Sequence, residues 1–241
     1  RQHRELILAA TPILLETGEL LGEIGGIVLL CGPDGLVLES SGAPRILDLA
    51  VDANITPGGI WTEQACGTNA VGTALSEGRP VELRGAEHFC DSIRRWSCAA
   101  SLVRDPESGA VIGALDISHG GRAGASALPL AVTVARRIEG ELARRTLRRR
   151  QFLFERYAER AARWPRDGVL LLDHDGSLLA WNECAPLALA ARGCAVPLAR
   201  GTAFDPLLAR VGAEHHESLC LDGEQAGTVL TLAQRTGGAS V

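Results

Sequence analysis

Gly58–Leu75 reads GGIWTEQACGTNAVGTAL. Trp61 and Glu63 stand just before a Gly-Thr-Asn turn, and a helix of small residues opens at about Asn69. Thr68 or Asn69 can cap that helix, because a short polar side chain accepts hydrogen bonds from the unpaired N–H groups of a first turn. Ala70, Val71, Ala74 and Leu75 form its apolar side. Gly67 and Gly72 allow backbone to pack against backbone.

Outward from this stretch, the pattern alternates between strands and helices. Leu6 to Leu21 has helical apolar spacing, and Gly26 to Cys31 is an apolar, β-branched run. The Pro33-Asp34-Gly35 turn returns the chain through Leu36 to Ser40 as a hairpin. A short helix follows at about Arg45 to Ala53. Beyond the opening stretch come a strand at Pro80–Leu83 and a loop with a short helix at Ala86–Arg95. Two strands, Cys98–Arg104 and Ala110–Ser118, then close the sheet around a turn at Pro106–Gly109. Antiparallel strands with helices on one face predict an α+β layout.

Three further strings stand downstream: GAEHF at Gly85–Phe89, WSCAASLVRD at Trp96–Asp105, and GAVIGALDIS at Gly109–Ser118. With the opening stretch they resemble the GAF domain of acetoin- and glycerol-metabolism-type regulators. That domain is the sensory front end of one group of sigma-54-dependent transcriptional activators. The resemblance covers roughly residues 1–145. One position departs from it: such domains read Ser-Cys-x-Ala-Pro where this chain has Ser101 in place of the proline.

A helical stretch from about Ala127 to Trp164 follows, too long for an ordinary globular helix. Its apolar stripe, with Val134, Ile138 and Leu142, suggests parallel dimers. Leu147-Arg148-Arg149-Arg150 lies in its middle, either a phosphate-contacting cluster or a solvated face. The grammar then repeats: a strand at Gly168–Leu172, an Asp173-His174-Asp175-Gly176 turn, a return at Ser177–Trp181, and a helix Glu183–Ala191 capped by Asn182. This looks like the opening of a PAS domain. Gly201–Leu208 resembles the pocket-lining middle of that fold, and strands at about Glu217–Leu221 and Gly227–Leu232 complete a small sheet. The expected organisation is a GAF domain over residues 1–126, a connecting and dimerisation helix over 127–164, a PAS-like domain over 165–235 and a linker over 236–241.

Composition narrows the function. Of the 241 residues 46% are hydrophobic, enough for real cores, and the net charge of −5 gives no general attraction to nucleic acid. No apolar run reaches bilayer-spanning length and no signal peptide is legible, so a cytoplasmic protein is expected. All 24 basic residues are arginine. Without lysine there is no P-loop and no Schiff-base chemistry in this segment. Methionine is also absent, and Arg1 therefore reads as the start of a fragment. The seven cysteines are odd in number and scattered, unlike a disulfide framework.

The resemblance implies a small polar metabolite, of the alcohol, ketone, acetoin or polyol class, buried between sheet and helices. Such a pocket needs an apolar wall and a few fixed polar groups. Trp61, Phe89 and Trp96 can supply wall; Thr68, Asn69, Thr73 and His88 can supply hydrogen bonds; Cys98 completes the candidate set. Glu63, Glu87 and Asp116 are candidate partners for His88 or for arginines. Asn69 has a second use as a cap, and the whole opening stretch can equally serve structure alone. Some regulators of this class sense a protein, such as a dihydroxyacetone-kinase subunit, instead of a metabolite. The resemblance also implies DNA and sigma-54 RNA polymerase as partners, but only through domains outside this chain. A thiol beside an imidazole can become nucleophilic, so His88 and Cys98, with Cys66 and Cys90, raise the alternative of a thiol enzyme like the GAF-fold free methionine sulfoxide reductases. Cys66 and Cys90 also raise redox sensing, given Arg84, Arg94 and Arg95 nearby in sequence. His215, His216 and Cys220 could ligate a metal, though adjacent strand histidines face opposite ways. The reading adopted is a sensory region with no enzyme activity, no cofactor and no metal.

Overall fold

The computed structural model describes residues 2–120, 126–194, 197–204 and 215–233. The chain divides into two compact units, Arg1–Arg145 and Thr146–Val241.

In the first unit, α1 (Gln2–Gly22) leads into β1 (Gly26–Cys31) and β2 (Val37–Gly42). Next come α2 (Pro44–Asp52), α3 (Glu63–Cys66) and α4 (Ala70–Glu77), then β3 (Val81–Arg84), β4 (Trp96–Arg104) and β5 (Val111–Gly120). The five strands form one antiparallel sheet in the order β2-β1-β5-β4-β3. Alternate residues of each strand face opposite ways, and this separates two cores. Val28, Leu30, Leu115 and Ile117 pack with α1 and with the first half of α5 (Leu128–Arg163). Ile27, Leu29, Cys31, Cys98, Ala100 and Ala114 pack with α2, α4 and the loops around Trp61 and Ile93. Helices thus cover both faces of the sheet, where the sequence suggested one. The reason is that α5 returns to the sheet beside α1.

Pro12 lies inside α1 and cannot donate to the carbonyl of Leu8. The Arg145 guanidinium donates to that carbonyl instead, at 3.0 Å. The break that a proline imposes is therefore repaired from another helix.

The second unit holds β6 (Gly168–Asp173), β7 (Leu178–Trp181), α6 (Ala185–Ala190), β8 (His215–Leu221) and β9 (Glu224–Leu232). Its antiparallel sheet runs β7-β6-β9-β8. One face packs Leu170, Leu172, Leu230 and Leu232 against α6 and Phe204. The other packs Val169, Leu171 and Val229 against Leu153 of α5. α6 begins at Ala185, later than the sequence suggested, because Asn182 is occupied in the strand connection. Its Oδ1 accepts from Val169 N–H at 2.9 Å as well as from Ala185 N–H at 3.1 Å, and its Nδ2 donates to the Asp167 carbonyl at 2.8 Å.

α5 is one helix of 36 residues shared between the two units. Of the stripe that suggested dimerisation, Val134, Ile138 and Leu142 are buried in the first unit; beyond it, Leu153 is buried in the second, while Leu147 and Phe154 are exposed. In the arginine run, Arg148 meets Asp222 and Arg149 meets Asp173, so those two cations face acidic partners. The expected pocket segment Gly201–Leu208 is described only to Phe204. The tail Arg235–Val241, with the expected linker 236–241, lies outside the described residues, as does the side chain of His215.

Candidate functional site

The register of the first sheet lays its helix-side face out in rows. Ile27 pairs with Ser118, which pairs with Cys98; Leu29 pairs with Asp116, which pairs with Ala100. Two polar residues thus stand in the middle of an otherwise apolar layer. Asn69, Ala70 and Val71 at the start of α4 cover this row. Trp61 and Ile55 close one side, and His88 and Ile93 from the Gly85–Ile93 loop close another. They surround a cavity of about 20 Å³, room for roughly one water-sized group.

α4 begins as its sequence demands. Asn69 is the N-cap: its Oδ1 accepts from Gly72 N–H at 2.8 Å and its Nδ2 donates to the Gly67 carbonyl at 2.9 Å. Gly72 is required because a Cβ there would stand 2.6 Å from the Glu63 nitrogen, so α3 and α4 touch through backbone. Gly67 has φ +67°, and a side chain on it would run into the Phe89 ring.

Of the eight candidate residues, the cavity gathers Trp61, Asn69, His88 and Cys98. The Trp61 indole donates to the Asn54 carbonyl at 3.0 Å, which fixes the ring as wall. Thr68 is exposed. The Thr73 hydroxyl donates to Glu63 Oε1 at 2.5 Å. Phe89 is 70% exposed, and Trp96 is buried in the core without lining the cavity. Asp116 and Ser118 line it and were absent from the candidate set. Their signal was present in GALDIS, where polar residues alternate with Leu115 and Ile117 along a central strand.

The polar groups have defined protonation. His88 Nδ1 lies 3.1 Å from the Gly85 carbonyl, which can only accept, so Nδ1 carries the proton. Burial holds the imidazole below its usual pKa, and the Gly85 bond and Glu87 offset this only in part. The neutral ring leaves Nε2 as a bare acceptor, buried and without a protein partner. Asp116 is 2% exposed, and burial pushes its carboxyl up to about 7, despite the Ser118 hydroxyl that donates to its Oδ2 at 2.5 Å. Its Oδ1 has no protein partner either.

This geometry can be compared with known proteins. The model of the MimR N-terminal domain family matches residues 2–144. The chain belongs to that family. Among relatives, the acetoin dehydrogenase operon transcriptional activator AcoR of Bacillus subtilis (strain 168) is 36% identical over 163 residues, covering 67% of this chain and 27% of that protein. The propane 2-monooxygenase operon transcriptional activator MimR of Mycolicibacterium smegmatis is 32% identical over 179 residues, 72% of this chain and 30% of that protein. The chain thus spans less than a third of the length of these two activators. Among solved structures, the E. coli DhaR(N)–DhaL complex contains a chain with TM-score 0.60 and 18% identity, covering 95% of this chain and 86% of that one. At that identity the likeness shows the fold. It extends across both units, beyond the stretch matched to the MimR N-terminal domain.

Within this family domain, the thiols are poorly disposed to react. Burial first, and Asp116 second, push the Cys98 thiol well above its ordinary value. Cys66 donates to the Ile60 carbonyl and Cys90 to the Cys66 carbonyl, each at 3.2 Å, and burial raises the Cys66 pKa. A thiolate, the reactive form, is disfavoured at both Cys66 and Cys98. Outside the domain, Asp173, His174 and Asp175 bring ligand-type atoms together. The Asp173 carboxylate there already accepts from His174 Nδ1 at 2.7 Å and faces the Arg149 guanidinium. No helix among the described residues is long and apolar enough to cross a membrane.

Proposed function

We propose that this chain is the sensory region of a cytoplasmic, sigma-54-dependent type of transcriptional activator, and that its first unit is a GAF domain holding a small polar metabolite of the alcohol, ketone or polyol class. The second unit is read as PAS-like. The observation that carries the proposal is the cavity under α4, whose lining contains two deeply buried acceptors, His88 Nε2 and Asp116 Oδ1, without protein partners. Buried polar atoms are nearly always satisfied, by protein, water or ligand, and these two share one cavity, which supports a polar group bound there. The membership in the MimR N-terminal domain family and the likeness to two operon activators support the regulatory role. The raised Cys98 thiol argues against thiol catalysis.

The cavity accepts roughly one water-sized group as it stands, so a larger ligand has to separate α4 from the Gly85–Ile93 loop. That movement is the signal: ligand favours one packing of the domain over another. α5, which packs on the opposite face of the same sheet, carries the change onward. Coupling of about 1–3 kcal/mol is enough for such a switch. A thermal-shift screen of short alcohols, ketones and polyols tests the reading. A ligand bound only by the native form raises the melting temperature; an unmoved transition across the whole panel refutes it.

A second reading is favoured by one observation, the fold shared with the DhaR(N) chain in its complex with DhaL. Here the first unit docks a partner protein of that kinase-subunit type. Co-purification of this chain with such a subunit, in the absence of any metabolite, supports this alternative.

A further inference from the structure

We propose that Asp116 and His88 together select a short aliphatic diol, a ligand with two hydroxyl donors, over carbonyl compounds and over carboxylates. The inference rests on the reading that the cavity binds a small molecule, and it names the chemistry of that molecule. Nothing in the sequence stretch that decides the fold points to it, since Asp116 lies on β5.

Both groups line the same small cavity, so a short molecule admitted by the separation of α4 from the Gly85–Ile93 loop meets both. His88 offers an acceptor at Nε2, because Nδ1–H is committed to the Gly85 carbonyl. Asp116 offers a second acceptor at Oδ1, because Oδ2 is committed to the Ser118 hydroxyl. Asn69, the remaining amide in the lining, uses its oxygen on Gly72 and its nitrogen on Gly67. A ketone brings only an acceptor to this pair and, while Asp116 is ionised, leaves both atoms unsatisfied. A carboxylate brings negative charge against a carboxyl, and no residue of the lining carries a compensating positive charge. Trp61, Leu29, Ile55 and Val71 supply apolar wall for a short carbon chain.

Asp116 also makes the selection dependent on pH. Among the described residues, Cys31 on β1 and Cys98 on β4 feel its charge, and His88 on the loop lines the same cavity. The two thiols are held protonated by burial and by Asp116 itself, and His88 is held neutral. The carboxyl titrates near neutrality, at about 7. A hydroxyl can donate to the ionised carboxylate or accept from the protonated carboxyl, so a diol binds both forms, with both of its hydroxyls donating only to the ionised one. A carbonyl requires the protonated form, the only state in which Asp116 donates, so ketone affinity falls.

Titration calorimetry on this chain with propylene glycol, hydroxyacetone, acetone and lactate tests the proposal, at about pH 6 and about pH 8. At the higher pH we expect propylene glycol to bind tightest, hydroxyacetone next, and acetone and lactate weakest. The preference for glycol over acetone should rise about tenfold between the two conditions, because the protonated fraction of Asp116 that a ketone needs falls by about that factor. Acetone or lactate tighter than the glycol, or a preference for glycol over acetone that is flat in pH, overturns the diol assignment while leaving a ligand cavity standing. No heat from any of the four overturns both. Asp116→Asn is expected to abolish the pH dependence, since an amide does not titrate. His88→Leu is expected to keep the pH rise but to lose about tenfold of the preference for glycol over acetone, the scale of one hydrogen bond to a buried acceptor. Either variant that folds suffices: glycol binding and its preference over acetone unchanged from the parent in that variant refute the assignment.

Discussion

The two units share a strand order. β2-β1-β5-β4 in the first matches β7-β6-β9-β8 in the second, and in each a hairpin pairs with the last strand of its own unit. They differ in what the helix-covered face carries. At the centre of the first sheet stand Asp116 and Ser118, beside a cavity. In the second, Leu230 and Leu232 sit on the last strand, next to Leu170, Leu172 and a Phe204 that is 1% exposed. One layer is complete when folded; the other keeps polar atoms that the protein itself does not satisfy. The same topology thus carries an apolar layer in one unit and a polar-centred layer beside a cavity in the other, and side chains on one strand make the difference.

The sharpest way to break this contrast is to open the filled layer. Phe204→Ala should destabilise the second unit by about 3–5 kcal/mol, the usual cost of an unfilled aromatic site, read by denaturant unfolding. The space it leaves is lined by leucines and should stay dry, so it should take an apolar gas such as xenon and not a glycol. Glycol binding there would show that space alone makes a receptor in this fold.

The reverse experiment concerns the carboxyl. Asp116 has its native pKa raised to about 7 from 3.8, so the folded state holds a proton that the unfolded chain releases. Stability is fully present below about pH 4, declines as pH rises through that window, and levels off above about 7. The decline should be about 4 kcal/mol. Asp116→Asn should flatten the curve and be more stable than the parent at about pH 8. A parent curve flat between those limits would place the first unit with the second as a closed core.

α5 serves the two units differently, and Arg145→Ala isolates that difference. Leu8's carbonyl loses its donor in a partly buried place, at a cost of about 1–3 kcal/mol to the first unit. The second unit's transition should be unmoved. The smallest effect is expected at the cap. Asn69→Ala should cost about 1 kcal/mol and loosen the start of α4, read as faster amide exchange at Gly72.

Much of this was legible in the chain. β1, with its unbroken apolar run, and α4, with Asn69 at its head and Gly78 at its end, stand where local rules put them. α3 is not legible in the sequence, because four residues are too short to show a period. The site was half legible. Trp61, Asn69, His88 and Cys98 share a cavity, but Phe89 points outward, since the loop at Gly67 packs against its ring. Asp116 was visible as a polar residue in an apolar strand. What a sequence does not show is which face of that strand the helices leave with a gap, because this depends on α1 and α5 taking the other side.

The repair of Pro12 constrains how this molecule can move. A slip of α5 along α1 by one turn, about 5.4 Å, would pull the Arg145 fork from the Leu8 oxygen and strand it. Pistoning is therefore the motion least open to this pair of helices. The Arg145–Leu8 bond is thus a clasp between the two helices that a proline made necessary.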